Sequence, residues 1–547
     1  MTNTLLTLHD PEMARRYYAA GLWRRDTFYS LLCGHAERRP DAFALRDGTR
    51  RLTWRQLRAM ADAVAGDLHE AGLKRGERVA VWLSNRVEAV AVLLACSRQG
   101  YVCNPSLHRN YRVAEIVELL ARTRAAALFA EPGHGADADT ADIFAAARAL
   151  PSLRRTYTLG AGPPDAAPFP AASAPLLPAD DDPDKIVYLA FTSGTTGTPK
   201  GVMHSDNTLL ANGRVMVADW GHGEHSVLLS LSPMSHHIGA VAVEQMLVAG
   251  LELVVNAPPA RMTALDWIIA SGATYVMGVP THAMDVLAEL RQRRIDRLGD
   301  VKTFYMAGSP IPRETAQAFL DRGVLPQNVY GMTENGSHQY TLPGDDPKTI
   351  VETCGRACAA YEIRIWDQDN SDMEAAAGAV GEIGGRGACL TLGYFDDQQA
   401  TEGSFNRGGW FMSGDLGRLD AKGCLEIVGR KKDLIIRGGR NIHPARIEDL
   451  AMRHRAVARC AAFAVADPRL GEKICLAVIA HDGETVAPDE LLAHLDRAGL
   501  SRYDMPEYFL AMAEFPLTAS GKILKRELVE WARMGRIAPL AVRWGGK

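Results

Sequence analysis

Hydrophobic and polar positions change rhythm along this chain in a recurring way. The stretch TWRQLRAMADAVAGDLHEAG (53–72) spaces its apolar residues as a helix does. RVAVWL (78–83) is a short unbroken apolar run, and VEAVAVLLACSRQG (87–100) returns to a helix. This alternation predicts a largely parallel sheet covered by helices, an α/β fold. Further runs of strand length, LELVV, TYVMGV and KTFYMAG, extend the pattern between Gly221 and Ile311. The segment 161–185, AGPPDAAPFPAASAPLLPADDDPDK, reads as a surface excursion, because the alternation resumes after it. Near residue 430 the character shifts to a basic cluster, GRKKDLIIRGGRN. A helix (PARIEDLAMRHRA), two strands (CAAFAVAD, KICLAVIA) and a second helix (DELLAHLDRAG) follow it. The expected organisation is a large N-terminal domain, 1–431, of mixed and parallel sheets covered by helices. A small mobile α+β domain, 432–547, completes it.

Composition narrows the function classes. The 547 residues are 47% hydrophobic and 23% charged, ordinary values for a globular protein. With 61 basic and 65 acidic residues the net charge is -4, which gives no reason to expect nucleic acid or an acidic membrane as partner. Nine cysteines are scattered without a CxxC pair, which points to a reducing compartment rather than to a zinc or disulfide framework. The N-terminal MTNTLLTLHDPEMARRYY lacks the build of a secretory signal, and VAVEQMLVAGLELVV is broken twice by Glu, so no membrane span is expected. The expected location is cytoplasmic.

Candidate chemistry begins at FTSGTTGTPKGV (191–202), which follows the apolar run IVYLA. A glycine-rich turn after a strand lets backbone amides approach an anion, and hydroxyls add donors. The P-loop spacing GxxxxGK[ST] fails, because Pro199 stands where its second glycine belongs. A flexible linker would not be introduced by a strand and closed by Pro-Lys-Gly. A phosphate-gripping loop is the better reading.

Six motifs in order give the stretch from about residue 30 to 530 a strong resemblance to the AMP-forming acid:CoA ligases and related adenylating enzymes. They are FTSGTTGTPKGV, Tyr330 to Glu334 (YGMTE), Gly381-Glu382-Ile383 with Gly393-Tyr394, Trp410 to Asp415 (WFMSGD), Gly429 to Asp433 running into Gly438 to Ile442, and Pro516 to Arg526 (PLTASGKILKR). The resemblance implies ATP, Mg²⁺ and coenzyme A as cofactors or co-substrates. It implies that Thr192, Ser193, Gly194, Thr195, Thr196, Gly197 and Lys200 hold the leaving pyrophosphate. Gly308, Ser309 and Pro310, with Tyr330, Gly331 and Met332, would face the adenine. Glu334 would ligate Mg²⁺, with Thr333 beside the α-phosphate. Asp415 would accept the ribose hydroxyls and Arg430 would bind the nucleotide nearby. Lys522 would bridge the acid and the α-phosphate, and relatives imply a lysine acetyltransferase as a partner acting on it. His236, in PMSHHIG, matches a gate residue beside the acid. Lys432 matches the hinge, and Gly438 and Gly439 the passage for the pantetheine arm of CoA. The stretch after Pro444 departs from the family's x-Glu-Ile-Glu, carrying Ala445-Arg446-Ile447-Glu448.

The acid pocket is expected around Gly239, Ala240, Met277, Gly278 and Met306, apolar or small residues without a Lys or Arg for a second carboxylate. HHIGAVAVEQ offers no acid next to the motif for an amino-acid substrate. The expected substrate is an uncharged hydrophobic monocarboxylate. The overall look is most similar to bacterial cyclohexanecarboxylate (alicyclic acid) CoA ligases; a medium-chain fatty acid or aromatic acid ligase is the alternative. An inactive paralogue serving as a nucleotide- or acyl-binding module is the rival of another class, and the presence of Lys522, Glu334 and Asp415 argues against it.

Overall fold

The structure, a computed structural model, describes residues 5–171, 177–192, 199–309, 311–518 and 522–544. These form four sheets. In the largest, Phe43–Arg46, Glu252–Val255, Val227–Ser230, Tyr275–Gly278, Thr303–Met306 and Leu325–Met332 are parallel neighbours, with antiparallel strands at both edges. The second sheet runs parallel from Ala167–Pro168 through Arg155–Thr158, Ala125–Ala130, Arg78–Trp82 and Val102–Asn104 to Ile186–Thr192. Lys200–Ser205 closes it antiparallel. The short strand Ala167–Pro168 belongs to the Pro-rich excursion and adds only to that sheet's edge.

A layer of helices shares one core with the inner faces of both sheets. Helix Val87–Gln99 shows why: its sequence is apolar nearly all round, and all but its last residue is buried. Helices Asp206–Trp220 and His237–Ala249 belong to the same layer and pack against each other at Gly213, where a Cβ would come within 2.7 Å of the Glu244 Cβ.

The third sheet is antiparallel: Tyr361–Trp366, Gly381–Gly387, Phe411–Leu419 and Leu425–Arg430. A single 3₁₀ turn, Lys431–Asp433, leads from it to the fourth sheet, whose first strand is Ile435–Arg437. Helices Pro444–Met452 and Pro488–Arg497 cover one face of that sheet, and Lys525–Arg533 packs on the other. Here Glu448 accepts from Lys525 Nζ and from the Ala462 amide, both at 2.7 Å, so the acid retained after Pro444 ties helix to sheet. The large domain of packed sheets and the small α+β domain are the α/β architecture expected. Among the described residues no helix is long and apolar enough to cross a membrane.

Candidate active site

The glycine- and threonine-rich stretch closes a hairpin. Thr192 stands opposite Lys200 in the antiparallel pair that flanks it. Ser193, Gly194, Thr195, Thr196 and Gly197 lie outside the described residues, as does Pro310. Arg122 donates to the Pro199 carbonyl at 2.5 Å and fixes the returning strand. The Lys200 ammonium sits 4.5 Å from the centre of the Tyr394 ring, whose hydroxyl donates to Glu334 Oε1 at 3.0 Å. Burial raises the pKa of the Glu334 carboxyl, while Tyr394, Lys200 and Arg430 pull it down. A buried acid held this way favours a cation beside it.

Tyr330, Gly331 and Met332 end a strand of the largest sheet, and the chain turns back at Gly336, with φ of +64°. In that turn the Thr333 carbonyl accepts from His204 Nε2 at 2.7 Å. Burial lowers the His204 pKa to about 4, so the ring is a neutral brace. Asp415 and Arg430 face each other in register on neighbouring strands. Arg430 Nε donates to Asp415 Oδ1 at 2.7 Å and Tyr330 Oη to Oδ2 at 3.1 Å. Each carboxylate oxygen has two lone pairs, so capacity remains for two ribose hydroxyls. Lys431 and the Gly414 amide hold Glu382 below, at 2.9 and 3.1 Å.

Lys522 reaches this site from the small domain. Thr518 and Lys522 exchange two hydrogen bonds, 2.7 Å from the Thr518 amide and 3.0 Å to its hydroxyl. Lys522 Cε lies 3.7 Å from where a Cβ on residue 308 would stand, and Gly308 has φ of +93°. Burial and then the Arg430 guanidinium lower the Lys522 pKa to about 8, against the pull of Asp415 and Glu334. His236 caps helix His237–Ala249, its Nδ1 accepting from the Ile238 amide at 3.3 Å. Burial, then Lys522, His108 and His282, lower its pKa to about 3 and keep it neutral.

On the acid side the expectations need correction. Met277 and Gly278 pair in register with Tyr305 and Met306. Side chains alternate along a strand, so Met306 points to the opposite core, with Val276, Phe304 and Phe319, while Tyr305 and Ala307 share the Met277 face. Gly239 and Ala240 are buried on the facing helix, Gly239 against Pro233 and Met234. The facing helix is also less apolar than its sequence suggests, because it buries His237, Glu244 and Gln245, of which Gln245 lies 3.3 Å from the Met277 sulfur. Gly438 and Gly439 form a tight turn, with φ of +59° and +82°, and are exposed, as is Lys432 on the 3₁₀ turn. Reasoning from sequence also missed His204 and Tyr394 as supports. Each acts through a pairing distant in sequence, and the only local sign of Glu244 was an acid inside an otherwise apolar helix.

The match with known proteins covers most of the molecule. Residues 34–395 match the family described as AMP-binding enzyme, and residues 446–522 its C-terminal domain. The chain is 29% identical to the medium-chain fatty-acid–CoA ligase of Escherichia coli (strain K12), over 96% of its own length and 94% of that protein's. It is 32% identical to a feruloyl-CoA synthase of an Amycolatopsis species, over 89% and 96%. The structure of ATP-bound MatB from Rhodopseudomonas palustris superposes with a TM-score of 0.82 at 26% identity, covering 93% of this chain and all of that one. Motifs, fold and matches agree: the chain belongs to the AMP-binding enzyme family and is an acyl-CoA synthetase.

Proposed function

We propose that the chain activates a monocarboxylate of medium size, first as its adenylate and then as its CoA thioester, with Lys522 as the catalytic cation. One observation supports this most: Lys522 lies against Gly308 and within electrostatic reach of Arg430, Asp415 and Glu334. In the first half-reaction the acid's carboxylate attacks the α-phosphorus of ATP and pyrophosphate leaves. Two anions must meet, and a fixed ammonium stabilises the charge that develops. Lys200 and the 193–197 loop would hold the departing phosphates, Asp415 the ribose, and Thr333 the α-phosphate, braced by His204. The buried carboxyl of Glu334 suits a hard cation, and Mg²⁺ bound there would neutralise phosphate charge. In the second half-reaction the thiol of CoA attacks the acyl carbonyl and AMP leaves. For that step the small domain would turn about Lys432 and bring Gly438 and Gly439 to the acid. A lysine acetyltransferase would then act on Lys522 in the turned orientation.

The names of the two relatives point to straight-chain and aromatic acids, which puts the alternative ahead of cyclohexanecarboxylate. The test is pyrophosphate release from ATP and Mg²⁺ with straight-chain, aromatic and alicyclic acids, followed by thioester formation with CoA. Release with one class of acid supports the reading. No release with any acid would overturn it.

A further inference from the structure

The largest sheet reverses its order at the strand Val227–Ser230. The chain leaves that strand for Glu252–Val255 on one side and then crosses to Tyr275–Gly278 on the other. In a parallel sheet such a reversal opens a crevice beyond the carboxyl ends of the strands, where ligands bind. Helix His237–Ala249 follows the first strand and packs into one core. Helix Pro280–Arg293 follows Tyr275–Gly278 and packs into the core of the opposite face. Their N-termini therefore flank the crevice, and each carries a histidine. His236 caps the first helix, and His282 lies in the first turn of the second.

Lys522 arrives at the same place. A Cβ on residue 308 would stand 3.5 Å from Val279 Cγ1 and 3.7 Å from Lys522 Cε, and Val279 caps the second helix. His282 folds back over the adjoining strand end, its Nδ1 3.1 Å from where a Cβ on residue 278 would stand. Lys522 and His282 both act on the His236 ring. His282 stays part-exposed at the crevice.

One hydrogen bond fixes which nitrogen of His282 carries the proton. The Val279 amide donates to its Nδ1 at 3.3 Å. An amide N–H can only donate, so Nδ1 accepts and a neutral ring bears its hydrogen on Nε2. Burial lowers the His282 pKa and favours that neutral ring. No described residue accepts from Nε2. A neutral imidazole at a helix N-terminus, with an N–H to spare, can polarise a carbonyl.

We propose that His282 is a catalytic residue of the second half-reaction, its Nε2–H donating to the acyl oxygen as the thiol of CoA attacks. This rests on the ligase reading and assigns it a further residue. CoA attacks as the thiolate, its proton having passed to water. The sulfur–carbon bond forms and the carbonyl electron pair moves onto oxygen. That pair returns as the bond between the acyl carbon and the AMP oxygen breaks, and AMP leaves with the bonding electrons. Negative charge thus builds on the acyl oxygen when, on that reading, the small domain has turned and taken Lys522 with it. His282 belongs to the large domain and stays.

The test supplies octanoyl-AMP or cinnamoyl-AMP with CoA and follows thioester formation in a single turnover. Acyl-AMP formation from ATP and the free acid is measured beside it. His282→Phe keeps a ring without the donor and should slow the thioester step about 10²-fold or more, and adenylation far less. His282→Gln offers an amide N–H near the same position and should recover at least about tenfold of that loss. Thermal unfolding checks each variant, and His282→Leu replaces His282→Phe if the latter does not fold. Equal losses in both steps, an undiminished thioester step, or a His282→Gln no faster than the donor-free variant would overturn the proposal and leave the ligase reading in place. Failure of the unaltered protein to form a thioester from either acyl-AMP would overturn both.

Discussion

A lysine whose pKa is lowered to about 8 is a cation on the edge of losing its proton at ordinary pH. The proposed role of Lys522 needs the charged form, which is present below that pKa and lost above it. The kcat/KM for acyl-AMP formation should therefore fall as pH rises through about 8, while thioester formation from supplied acyl-AMP should not follow that curve. Lys522→Ala should lower adenylation by about 10²–10³-fold or more and spare the second half-reaction, measured by single-turnover assays of each. Equal losses in both would remove Lys522 from the assigned role. Lys522, Glu334 and Asp415 were legible in sequence because each sits in a run of small and hydroxyl residues with no packing reason to exist. The pairing of Asp415 with Arg430 was not. It depends on strand register, which the fourteen intervening residues do not declare. Met306 was misplaced for the same reason, since one step along a strand exchanges one face for the other.

At the scale of elements, close packing of two helices decides what a substitution does. Ala usually exceeds Gly by up to about 1 kcal/mol inside a helix. At Gly213 the added Cβ would press on the Glu244 Cβ and backbone, and overpacking of this kind costs about 1–3 kcal/mol. Gly213→Ala should therefore lower the melting temperature, and a rise would show that the helices part without cost. Glu244→Leu should do the reverse, because it replaces a buried carboxyl whose oxygens lack a well-formed hydrogen bond among the described residues with an apolar group of similar size. Elements themselves were well announced by periodicity: the helices at 54–70 and 87–99 and the strand at 78–82 fall where the pattern put them. Their layering was not, because an apolar helix reads alike whether one sheet or two cover it. The 3₁₀ turn at Lys431–Asp433 joins two sheets and nothing else spans that step in the chain. Lys432→Pro should stiffen it and slow thioester formation more than adenylation, judged by separate rates for the two half-reactions.

At the scale of the whole molecule, Lys522 and Arg430 come from opposite sides of that turn and bear the same charge. Burial and then the Arg430 guanidinium disfavour the Lys522 ammonium, against the pull of Asp415 and Glu334. A polyanion between them turns repulsion into attraction on both sides, an effect that salt weakens. Small-angle scattering should therefore show a narrower, more compact particle with ATP and Mg²⁺ than with buffer alone, and an unchanged profile would argue that docking does not depend on charge. The consequence reaches into the order of events. If the phosphates act as mortar between the two domains, the departure of pyrophosphate would remove most of it at a stroke. On the proposed mechanism no separate signal would be needed to mark the end of the first reaction: loss of the leaving group would itself loosen the small domain for the thiol.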